Sequence, residues 1–521
     1  MGDTFEKRLD GATRRKSRID KELKSRRKTR IVAVSVVLAV VVFFSAAMFI
    51  NSPLIRRVLP ALTIGNVDFS AAEYDYYFVY SLNQLSYYYT SMLGEEGASS
   101  YLPSNDAALS TQIQNEETGE TWEDYLSAMA IENMTEIARI YDTAKAAGYE
   151  MPANIAEEID TQISTYKEQA EMYGSAYPNL NSYLRQIFGN NINERALRRI
   201  LERAMLASSY STYISDSFTY TADQLATYYS ENADNFDNFI FRTFLVAQET
   251  VEETFETDEE TEAANAAALE AAREQAELIA SGIESEEDFI DAAKEYDSIY
   301  YGDSDSTLME TPGSDLTYME YDGWLKDGAR VSGDVGTIDA YSGTYVIFFI
   351  RRDKNDYQTV KMRQILLLMD TVDSSIYEEG LEDPEYLEAL RQAEIAVKGR
   401  ADEVQSLFNA GGATEEMLLE LMSDYSDDST EGGLYEDIQK GTLVTEIEDW
   451  LFDPVRKYGD NSLIKSAAYG YHLVFFMGYG DKSCDVTAKN DLRESDYQTW
   501  TEGLAEVETT TRWAFSLREK R

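Results

Sequence analysis

Two stretches of the sequence are similar to each other. Residues 324–349 read WLKDGARVSGDVGTIDAYSGTYVIFF, and residues 450–476 read WLFDPVRKYGDNSLIKSAAYGYHLVFF. Trp-Leu, Asp, Arg, Gly-Asp, Ile, Gly and Phe-Phe recur in register, with one extra residue before the second glycine. Agreement at ten positions is not expected by chance, and such self-similarity indicates a repeated structural unit. The sequence therefore predicts two tandem domains that share one fold.

The residues before each copy extend the repeat. The run IFRTFLV aligns with KMRQILL through Arg242 and Arg363, and SEEDFIDAAKEYD aligns with TEEMLLELMSDYS. The first pair is rich in apolar residues typical of strands, whereas the second pair spaces its apolar residues as a helix does. Each unit therefore reads strand, long helix, short helices, glycine-rich turn, helix and strand. We predict an α+β fold class with two tandem βα domains, at residues 238–353 and 357–481.

Residues 61–237 have a mostly helical pattern. Ser70, with Glu73 three residues later, forms a capping-box signature at the start of a helix. The runs TWEDYLSAMAIENMTEIARIYDTAKAAG and INERALRRILERAMLASSYSTYI space their apolar residues three and four apart. The region is dense in aromatic residues, which either fill helix interfaces or form a surface that grips peptides. We predict a helical domain here, and a C-terminal helix at residues 485–521 that folds back on it.

The N-terminal fifty residues predict a membrane anchor. Residues 31–50, IVAVSVVLAVVVFFSAAMFI, are twenty residues without a charge, which at about 1.5 Å per residue matches a hydrocarbon core of roughly 30 Å. Residues 1–30 hold 12 Lys/Arg against 5 Asp/Glu, and positively charged flanks stay in the cytoplasm. We therefore expect a basic cytoplasmic tail, a single transmembrane helix in the cell membrane, and an extracytoplasmic body.

Composition excludes several classes of function. After residue 30 the chain holds 34 Lys/Arg against 90 Asp/Glu, and so acidic a body repels the phosphates that nucleic-acid-binding proteins must neutralise. One histidine, His472, and one cysteine, Cys484, cannot build a His/Cys zinc site or an internal disulfide. The stretch DSDSTLMETPGS begins like a calcium loop but has Leu308 where such loops need glycine. We expect no nucleic-acid partner, no cofactor and no metal, and only calcium in the acidic loops stays an open question.

The second copy resembles the parvulin-type peptidyl-prolyl isomerases. Its RQILLL occupies the place of that family's Arg-His-Ile-Leu strand, its LMSDYSDDSTEGGL is similar to Tyr-Ser-x-Asp followed by Gly-Gly, and its YGYHLVFF is similar to the closing Gly-x-His strand. The preceding region, which begins with VDFSAAEYDYY and ends with YYSENADNF, resembles the helical domain of exported SurA- and PrsA-type chaperones. The resemblance covers about residues 30–480 and is most specific in the second repeat.

This resemblance implies roles for particular polar residues. His472 corresponds to the second histidine of the family's paired site and Asp428 to its central polar position, whereas Gln364 stands where the first histidine would be. An amide both donates and accepts hydrogen bonds, so Gln364 can continue a network without a second titrating group. In the first repeat Thr243 and Tyr345 stand at the positions of Gln364 and His472. The first repeat is therefore expected to be non-catalytic.

The resemblance also implies a shallow apolar pocket for a proline ring, with Leu443, Ile447 and Tyr471 as its substrate-binding residues. Turning a prolyl amide breaks no bond, because the reaction only has to lower a rotation barrier of about 18–20 kcal/mol that amide resonance creates. No metal or cofactor is needed for this chemistry.

The sequence thus predicts an extracytoplasmic foldase, anchored by residues 31–50, that acts on unfolded or proline-containing exported polypeptides. Whether the second repeat is an enzyme stays open, because Gln364 replaces a motif histidine while the Gly-x-His and Gly-Gly elements are intact. The alternatives are a non-catalytic chaperone whose repeats only bind, and a scaffold for envelope assembly that binds one partner.

Overall fold

The computed structural model describes much of the chain after residue 51. The described residues are 35, 38, 40–42, 52–250, 257–296, 304–373, 380–467 and 469–519. The predicted cytoplasmic tail lies outside them, as does the predicted transmembrane segment apart from five positions. In the described part of the chain, no helix combines the length and the apolar character needed to cross a membrane.

Helices and strands together form a mixed α+β chain, which confirms the predicted fold class. The helices are α1 (Pro53–Val58), α2 (Ala71–Ala98), α3 (Trp122–Ala146), α4 (Ala153–Met172), α5 (Leu180–Phe188), α6 (Glu194–Ser217), α7 (Ala222–Glu231), α8 (Ala233–Phe236), α9 (Asp258–Ser281), α10 (Glu286–Tyr296), α11 (Gly313–Leu316), α12 (Asp322–Leu325), α13 (Pro384–Ala410), α14 (Glu415–Tyr425), α15 (Thr445–Leu451) and α16 (Ser483–Glu502). The strands are β1 (Pro60–Ile64), β2 (Val67–Ser70), β3 (Ile113–Asn115), β4 (Glu120–Thr121), β5 (Asn238–Ala247), β6 (Leu308–Pro312), β7 (Val335–Ala340), β8 (Gly343–Asp353), β9 (Gln358–Leu368), β10 (Leu434–Ile438), β11 (Asn461–Ser466), β12 (Gly470–Lys482) and β13 (Thr509–Thr511).

The chain divides into two compact units. Unit 1 contains the described residues of 1–218 and 495–521, and unit 2 contains those of 219–494. Unit 1 is largely helical, and its α2 begins where the sequence predicts. The Ser70 hydroxyl accepts a hydrogen bond from the Glu73 backbone N–H, while the Glu73 carboxylate accepts one from the Ser70 backbone N–H. This reciprocal pair satisfies two of the N–H groups that a helix start leaves without partners.

The C-terminal residues 495–519 belong to unit 1. Helix α16 ends at Glu502, and the chain then continues to β13, which pairs antiparallel with β1 at the edge of a sheet ordered β13-β1-β2. Three consecutive threonines form β13, and their branched side chains favour a strand over the continued helix that we expected. The Arg139 guanidinium donates to the Thr501 carbonyl oxygen at 3.0 Å. This contact holds the end of α16 against α3.

Unit 2 contains the two repeats, and they have the same topology. The first sheet is ordered β6-β5-β8-β7 and the second β10-β9-β12-β11, and every neighbouring pair is antiparallel. The registers also agree, because Thr243 lies opposite Ile347 and Gln364 lies opposite Val474. The sequence repeat is therefore one fold that the chain builds twice.

The glycines that recur in the two copies hold equivalent turns. Gly333 and Gly459 both have a φ of 92°, a left-handed conformation that glycine adopts without steric cost. Their N–H groups donate to the carbonyl oxygens of Phe349 and Phe476, at 2.9 and 3.0 Å. Each turn thus fastens the chain before β7 or β11 to the long central strand.

The recurring tryptophan and arginine also form an equivalent contact in both copies. The Arg330 guanidinium lies 4.6 Å from the centre of the Trp324 ring, and that of Arg456 lies 4.2 Å from Trp450. A guanidinium over an indole face at this distance is a cation–π contact. The residues by which the repeat is recognised therefore stabilise the scaffold.

In the second repeat, helices cover one face of the sheet and a different apolar cluster lies on the other. Helices α13 and α14 pack on the first face against the side chains of Ile365, Leu367, Leu473 and Phe475. The second face carries Val360, Met362, Val474 and Phe476, which pack with Ile438, Ile447 and Leu451. Successive strand residues point to opposite faces, and this alternation decides where each predicted site residue lies.

Candidate functional site

His472 and Gln364 lie on the second face of this sheet. His472 precedes Val474 by two residues on β12, and Gln364 follows Met362 by two residues on β9, so each shares the face of an apolar cluster member. Both side chains are buried, with 4% of His472 and 6% of Gln364 exposed. A buried polar side chain must find hydrogen-bond partners or destabilise the fold.

The three residues predicted as catalytic are linked by hydrogen bonds. His472 Nδ1 and Gln364 Oε1 are 2.9 Å apart, and Gln364 Nε2 donates to Asp428 Oδ2 at 2.8 Å. On the other side of the imidazole, Nε2 lies 2.9 Å from the Ser466 hydroxyl oxygen. Residues distant in the chain thus form one polar chain, which runs from Ser466 through His472 and Gln364 to Asp428.

The partners of the imidazole determine its tautomer. An ionised carboxylate only accepts, so Asp428 orients the amide nitrogen of Gln364 towards itself and the amide oxygen towards His472. That oxygen only accepts, so the imidazole proton must be on Nδ1. Nε2 lies within hydrogen-bonding distance of the Ser466 hydroxyl, whose oxygen accepts the Tyr469 backbone N–H at 3.3 Å. Both imidazole nitrogens are therefore bonded within the protein, and the Ser466 hydroxyl can donate to a neutral ring or accept from a protonated one.

The acidic loop after α14 is held against the edge of β9. The Asp427 backbone N–H donates to the Leu366 carbonyl oxygen at 2.8 Å, which extends the strand's hydrogen bonding beyond β10. Gly432 and Gly433 have φ values of 60° and 53°, and a Cβ at Gly433 would lie 2.4 Å from the Gln364 carbonyl oxygen. The Gly-Gly element therefore lets the loop approach the strand closely enough for Asp428 to reach Gln364.

Asp428 is the half-buried end of the polar chain. Besides Gln364, it accepts hydrogen bonds from the Thr430 backbone N–H at 2.9 Å and from the Tyr435 hydroxyl at 2.8 Å. Burial raises the pKa of Asp428, but the hydrogen bonds from Thr430, Gln364 and Tyr435 outweigh it and hold the pKa below its ordinary value. The carboxylate is consequently ionised at neutral pH.

Burial has the opposite result for His472, because the charged form of an imidazole is its protonated form. Burial lowers the pKa of His472, and the negative charges of Asp428 and Glu446 only partly offset this. Burial therefore favours the neutral imidazole, in which Nε2 accepts a hydrogen bond from the Ser466 hydroxyl. The network contains one negative charge, at Asp428, and no described cation belongs to it.

The predicted substrate-binding residues do not all lie together. Ile447 is buried and Leu443 is half-buried, and both belong to the apolar cluster on the face of His472. Tyr471 instead packs on the other face, with the cluster that α13 and α14 cover. Its neighbour His472 points the opposite way because strand residues alternate. The prediction that Tyr471 contacts the same ligand is corrected accordingly.

In its described residues, the first repeat lacks the polar chain. The Thr243 hydroxyl is buried and has no hydrogen-bond partner in the part of the chain that the structure describes. The Tyr345 ring packs edge-on against Tyr321, with 5.2 Å between ring centres. Residues 297–303, which include the sequence counterpart of Asp428, lie outside the described residues. At the two described positions, the first repeat therefore has none of the polar contacts of the second.

Three residues of the site carry no motif in the sequence. Ser466, Thr430 and Tyr435 complete the bonding of His472 and Asp428, and the Thr430 and Tyr435 hydroxyl oxygens are 2.9 Å apart. Ser466 faces Gly470 across the β11-β12 hairpin and is the diagonal neighbour of His472. The register of the β11-β12 hairpin is the signal that places Ser466 beside His472.

Metal binding finds no support in the described residues. They contain no group of three or more His, Cys, Asp or Glu side chains arranged to hold a metal ion. The calcium-like stretch around Leu308 begins in residues outside the described part of the chain. Cys484 is buried, and burial raises the pKa of its thiol, which favours the protonated form at neutral pH.

Comparison with known proteins gives limited similarities. No protein-family model matches the chain, and no curated protein matches it. Among solved structures, it is similar to the peptidylprolyl isomerase PrsA from Bacillus anthracis, with 19% identity over 28% of this chain and 54% of that chain and a TM-score of 0.16. For PrsA from Bacillus cereus the identity is 18%, over 29% of this chain and 46% of that one, with a TM-score of 0.16. For PrsA from Bacillus subtilis it is 14%, over 47% and 79%, with a TM-score of 0.15. The chain thus spans about half of the first two proteins, and its function is inferred below from its own residues.

Proposed function

We propose that the chain is an extracytoplasmic foldase whose second repeat binds proline-containing segments of unfolded polypeptides and accelerates their cis–trans isomerisation. The observation that carries this proposal is the polar chain from His472 through Gln364 to Asp428, beside an apolar cluster on the same sheet face. The half-buried Leu443 belongs to that cluster and supplies surface for the proline ring, and the buried Ile447 packs beneath it in the same cluster.

The chemistry follows from amide resonance. In the planar amide the oxygen carries extra negative charge, and this charge separation decreases as the bond twists. A fixed carboxylate beside the prolyl carbonyl oxygen destabilises the planar form more than the twisted form, which lowers the barrier. Asp428 is half-buried and ionised, so it is the group that contacts substrate. His472 and Gln364 are buried and act as positioning residues for it.

No step of this reaction transfers a proton. Gln364 therefore suits this reaction, which needs a fixed carboxylate. Its amide hydrogen-bonds to both His472 and Asp428, which holds Asp428 in place, and the amide does not titrate. The neutral imidazole has the same role, since both its nitrogens are already bonded within the protein.

The helical unit supplies the chaperone part of the proposal. The second half of α2 exposes large apolar side chains, among them Tyr87 with 78% and Met92 with 62% of its surface exposed. Such side chains on a soluble surface are typical of sites that bind other proteins, and methionine adapts to many partners. Unfolded exported polypeptides, which expose apolar residues, are the partners that fit this surface.

Location and anchoring belong to the same proposal and rest on sequence alone. The basic residues 1–30 and the apolar residues 31–50 favour a single-pass protein with its N-terminus in the cytoplasm. The acidic body would then meet polypeptides after their export, with no role in binding nucleic acid.

A second candidate function is a chaperone whose repeats only bind. The bonding of both imidazole nitrogens of His472 within the protein favours it, because no donor of this ring is free to contact a prolyl nitrogen. In that case Asp428 and the apolar cluster would form a binding surface without lowering the barrier.

The test is a protease-free isomerisation assay on the full chain, with NMR exchange measured on a short proline peptide. We expect a rate above the uncatalysed one, and a loss of about tenfold or more in Asp428→Asn, which keeps the side-chain shape but removes the charge. Thr243→Val, at the matching position of the first repeat, should leave the rate unchanged.

Two other outcomes separate the candidates. Peptide binding without acceleration, in a chain shown to be folded, would establish the binding-only function. If the folded chain neither binds nor isomerises proline peptides, the foldase proposal fails.

A further inference from the structure

Unit 1 contains a cleft that the isomerase site does not involve. It lies between α2, α3, α6 and the end of α16 and has a volume of about 470 Å³, within the range of roughly 300–1,000 Å³ typical of ligand sites. Its floor includes the buried Ile140 and Ile200. Tyr76 and Tyr80 form one wall, with their rings stacked at an angle of 12° and 6.4 Å between centres.

One acidic residue, which is exposed to solvent, lines this apolar and aromatic space. Glu136 is the only charged residue among the described residues that line the cleft, and it forms no ion pair with another described residue. Arg139, one turn further along α3, donates instead to the carbonyl oxygens of Thr501 and Leu504. The negative charge of Glu136 is therefore not neutralised by its neighbour on the helix.

A hydroxyl in the cleft wall also lacks a partner. Tyr77 lines the cleft, is 3% exposed, and its hydroxyl oxygen is buried without a hydrogen-bond partner among the described residues. Burial raises the pKa of Tyr77, so the hydroxyl keeps its proton and remains a donor. Leaving a buried hydroxyl unpaired destabilises a fold, and a bound acceptor, such as a peptide carbonyl, would remove that cost.

We propose that this cleft binds a cationic side chain, arginine or lysine, of a bound polypeptide, an inference that rests on the proposed foldase function. The methylene stem packs on the isoleucine floor, as long basic side chains do on apolar surface. The charged head lies between the Glu136 carboxylate and the faces of Tyr76 and Tyr80, which attract cations. The peptide carbonyl beside this residue accepts from the Tyr77 hydroxyl.

The test compares three fluorescent peptides that differ at one central residue, which is arginine, citrulline or norleucine. Citrulline keeps the shape of arginine without its charge. By fluorescence anisotropy with the full chain, we expect the arginine peptide to bind about tenfold more tightly than the citrulline peptide. The preference should shrink as salt is added, because salt screens exposed charges.

Variants of α3 assign the preference to the cleft. Glu136→Gln should make the arginine and citrulline peptides bind equally. Glu132→Gln is the matched control, since Glu132 is exposed on the same helix but does not line the cleft, and it should keep the tenfold ratio. Equal binding of the two peptides to the unchanged protein, or tightest binding of the norleucine peptide, overturns the inference.

Tyr77→Phe tests the hydroxyl separately from the charge. We expect weaker binding of all three peptides by several-fold, with no fall in the melting temperature, because the removed hydroxyl has no partner in the free protein. A lower melting temperature with unchanged affinities would overturn the assignment of this hydroxyl to the ligand. If none of the three peptides binds, this inference fails. The foldase proposal fails with it only if the folded chain also neither binds nor isomerises the proline peptide.

Discussion

At equivalent strand positions the two repeats bury different polar side chains, and these side chains differ in whether they find hydrogen-bond partners. In the second repeat Gln364 lies between His472 and Asp428 and hydrogen-bonds to both. In the first repeat Thr243 buries a hydroxyl without a partner among the described residues, and Tyr345 packs on another aromatic ring. The backbones around these side chains have the same strand order and the same register.

The residues that the repeats share behave alike. Arg242 Nε lies 2.8 Å from a carboxylate oxygen of Glu286, and Arg363 Nε lies 2.8 Å from one of Glu415. Each glutamate is the first residue of the helix that follows the long helix of its repeat. The helix dipole stabilises a negative charge at this position. Shared residues therefore maintain the scaffold, while the polar chain exists only where all its members are present, because each depends on the others for its partners.

The largest expected effect comes from removing the centre of the polar chain. Gln364→Leu leaves the Nδ1–H of His472 without an acceptor and takes one donor from Asp428. We expect the second repeat to lose about 3 kcal/mol of stability, since each buried group left without its partner costs about 1–3 kcal/mol. Thr243→Val should change the stability of the first repeat by less than about 1 kcal/mol, or raise it.

Hydrogen–deuterium exchange with mass spectrometry measures both effects, because peptides from β12 and β8 report local opening of the second and the first repeat. Each repeat is the reference for the other. Equal losses in the two variants would contradict the difference between the repeats.

A smaller loss of stability, equal in the two repeats, is expected when the shared arginine is replaced. Arg363→Met and Arg242→Met keep the stem but remove the ion pair with Glu415 or Glu286. Because these pairs are partly buried, each variant should lose about 2 kcal/mol in its own repeat. The same exchange measurement compares them, and a loss confined to one repeat would show that the arginine serves the polar site instead of the scaffold.

The smallest change in stability is expected when the pH is lowered. The pKa of His472 lies below its ordinary value of 6.5 because the ring is buried, so just below pH 6.5 the unfolded chain binds a proton that the folded chain does not. The stability of the second repeat is therefore complete above about pH 6.5 and decreases as the pH falls towards the folded-state pKa. The decrease is at most about 1.4 kcal/mol per pH unit.

The chain has one histidine, so this prediction can be measured without resonance assignment. NMR of histidine labelled with nitrogen-15 should show one imidazole, protonated on Nδ1 and titrating below pH 6.5. His472→Gln should abolish the pH dependence of exchange in β12 after correction for intrinsic rates, with β8 of the first repeat as reference. An imidazole that titrates above pH 6.5, or is protonated on Nε2, would show that the polar chain is wrongly described.

Several parts of the fold followed from the sequence because their causes are local. The capping box of Ser70 and Glu73 involves residues three apart, and strands and helices have different apolar periods. The repeat needed only a comparison of the chain with itself. The local sequence pattern predicted the wrong element after Glu502, where a strand that pairs with the distant β1 replaces the expected helix.

The candidate site was predictable only in part. The resemblance identified His472, Asp428 and Gln364, which the structure links, and it also identified Tyr471, which lies on the opposite face. Their roles in binding or catalysis stay predictions until the assays are done. Strand alternation, which the sequence does contain, already separates Tyr471 from His472.

By itself, then, the sequence determined the two-fold repeat, the mixed α+β class and the turns that need glycine, because these depend on composition and on spacing within a few residues. Only the tertiary structure decided that Ser466 and Tyr435 complete the polar chain, how the amide of Gln364 is oriented, and that the first repeat leaves a hydroxyl unpaired. These features depend on strand register and loop closure, which bring together side chains as far apart as Gln364 and His472, separated by 108 residues.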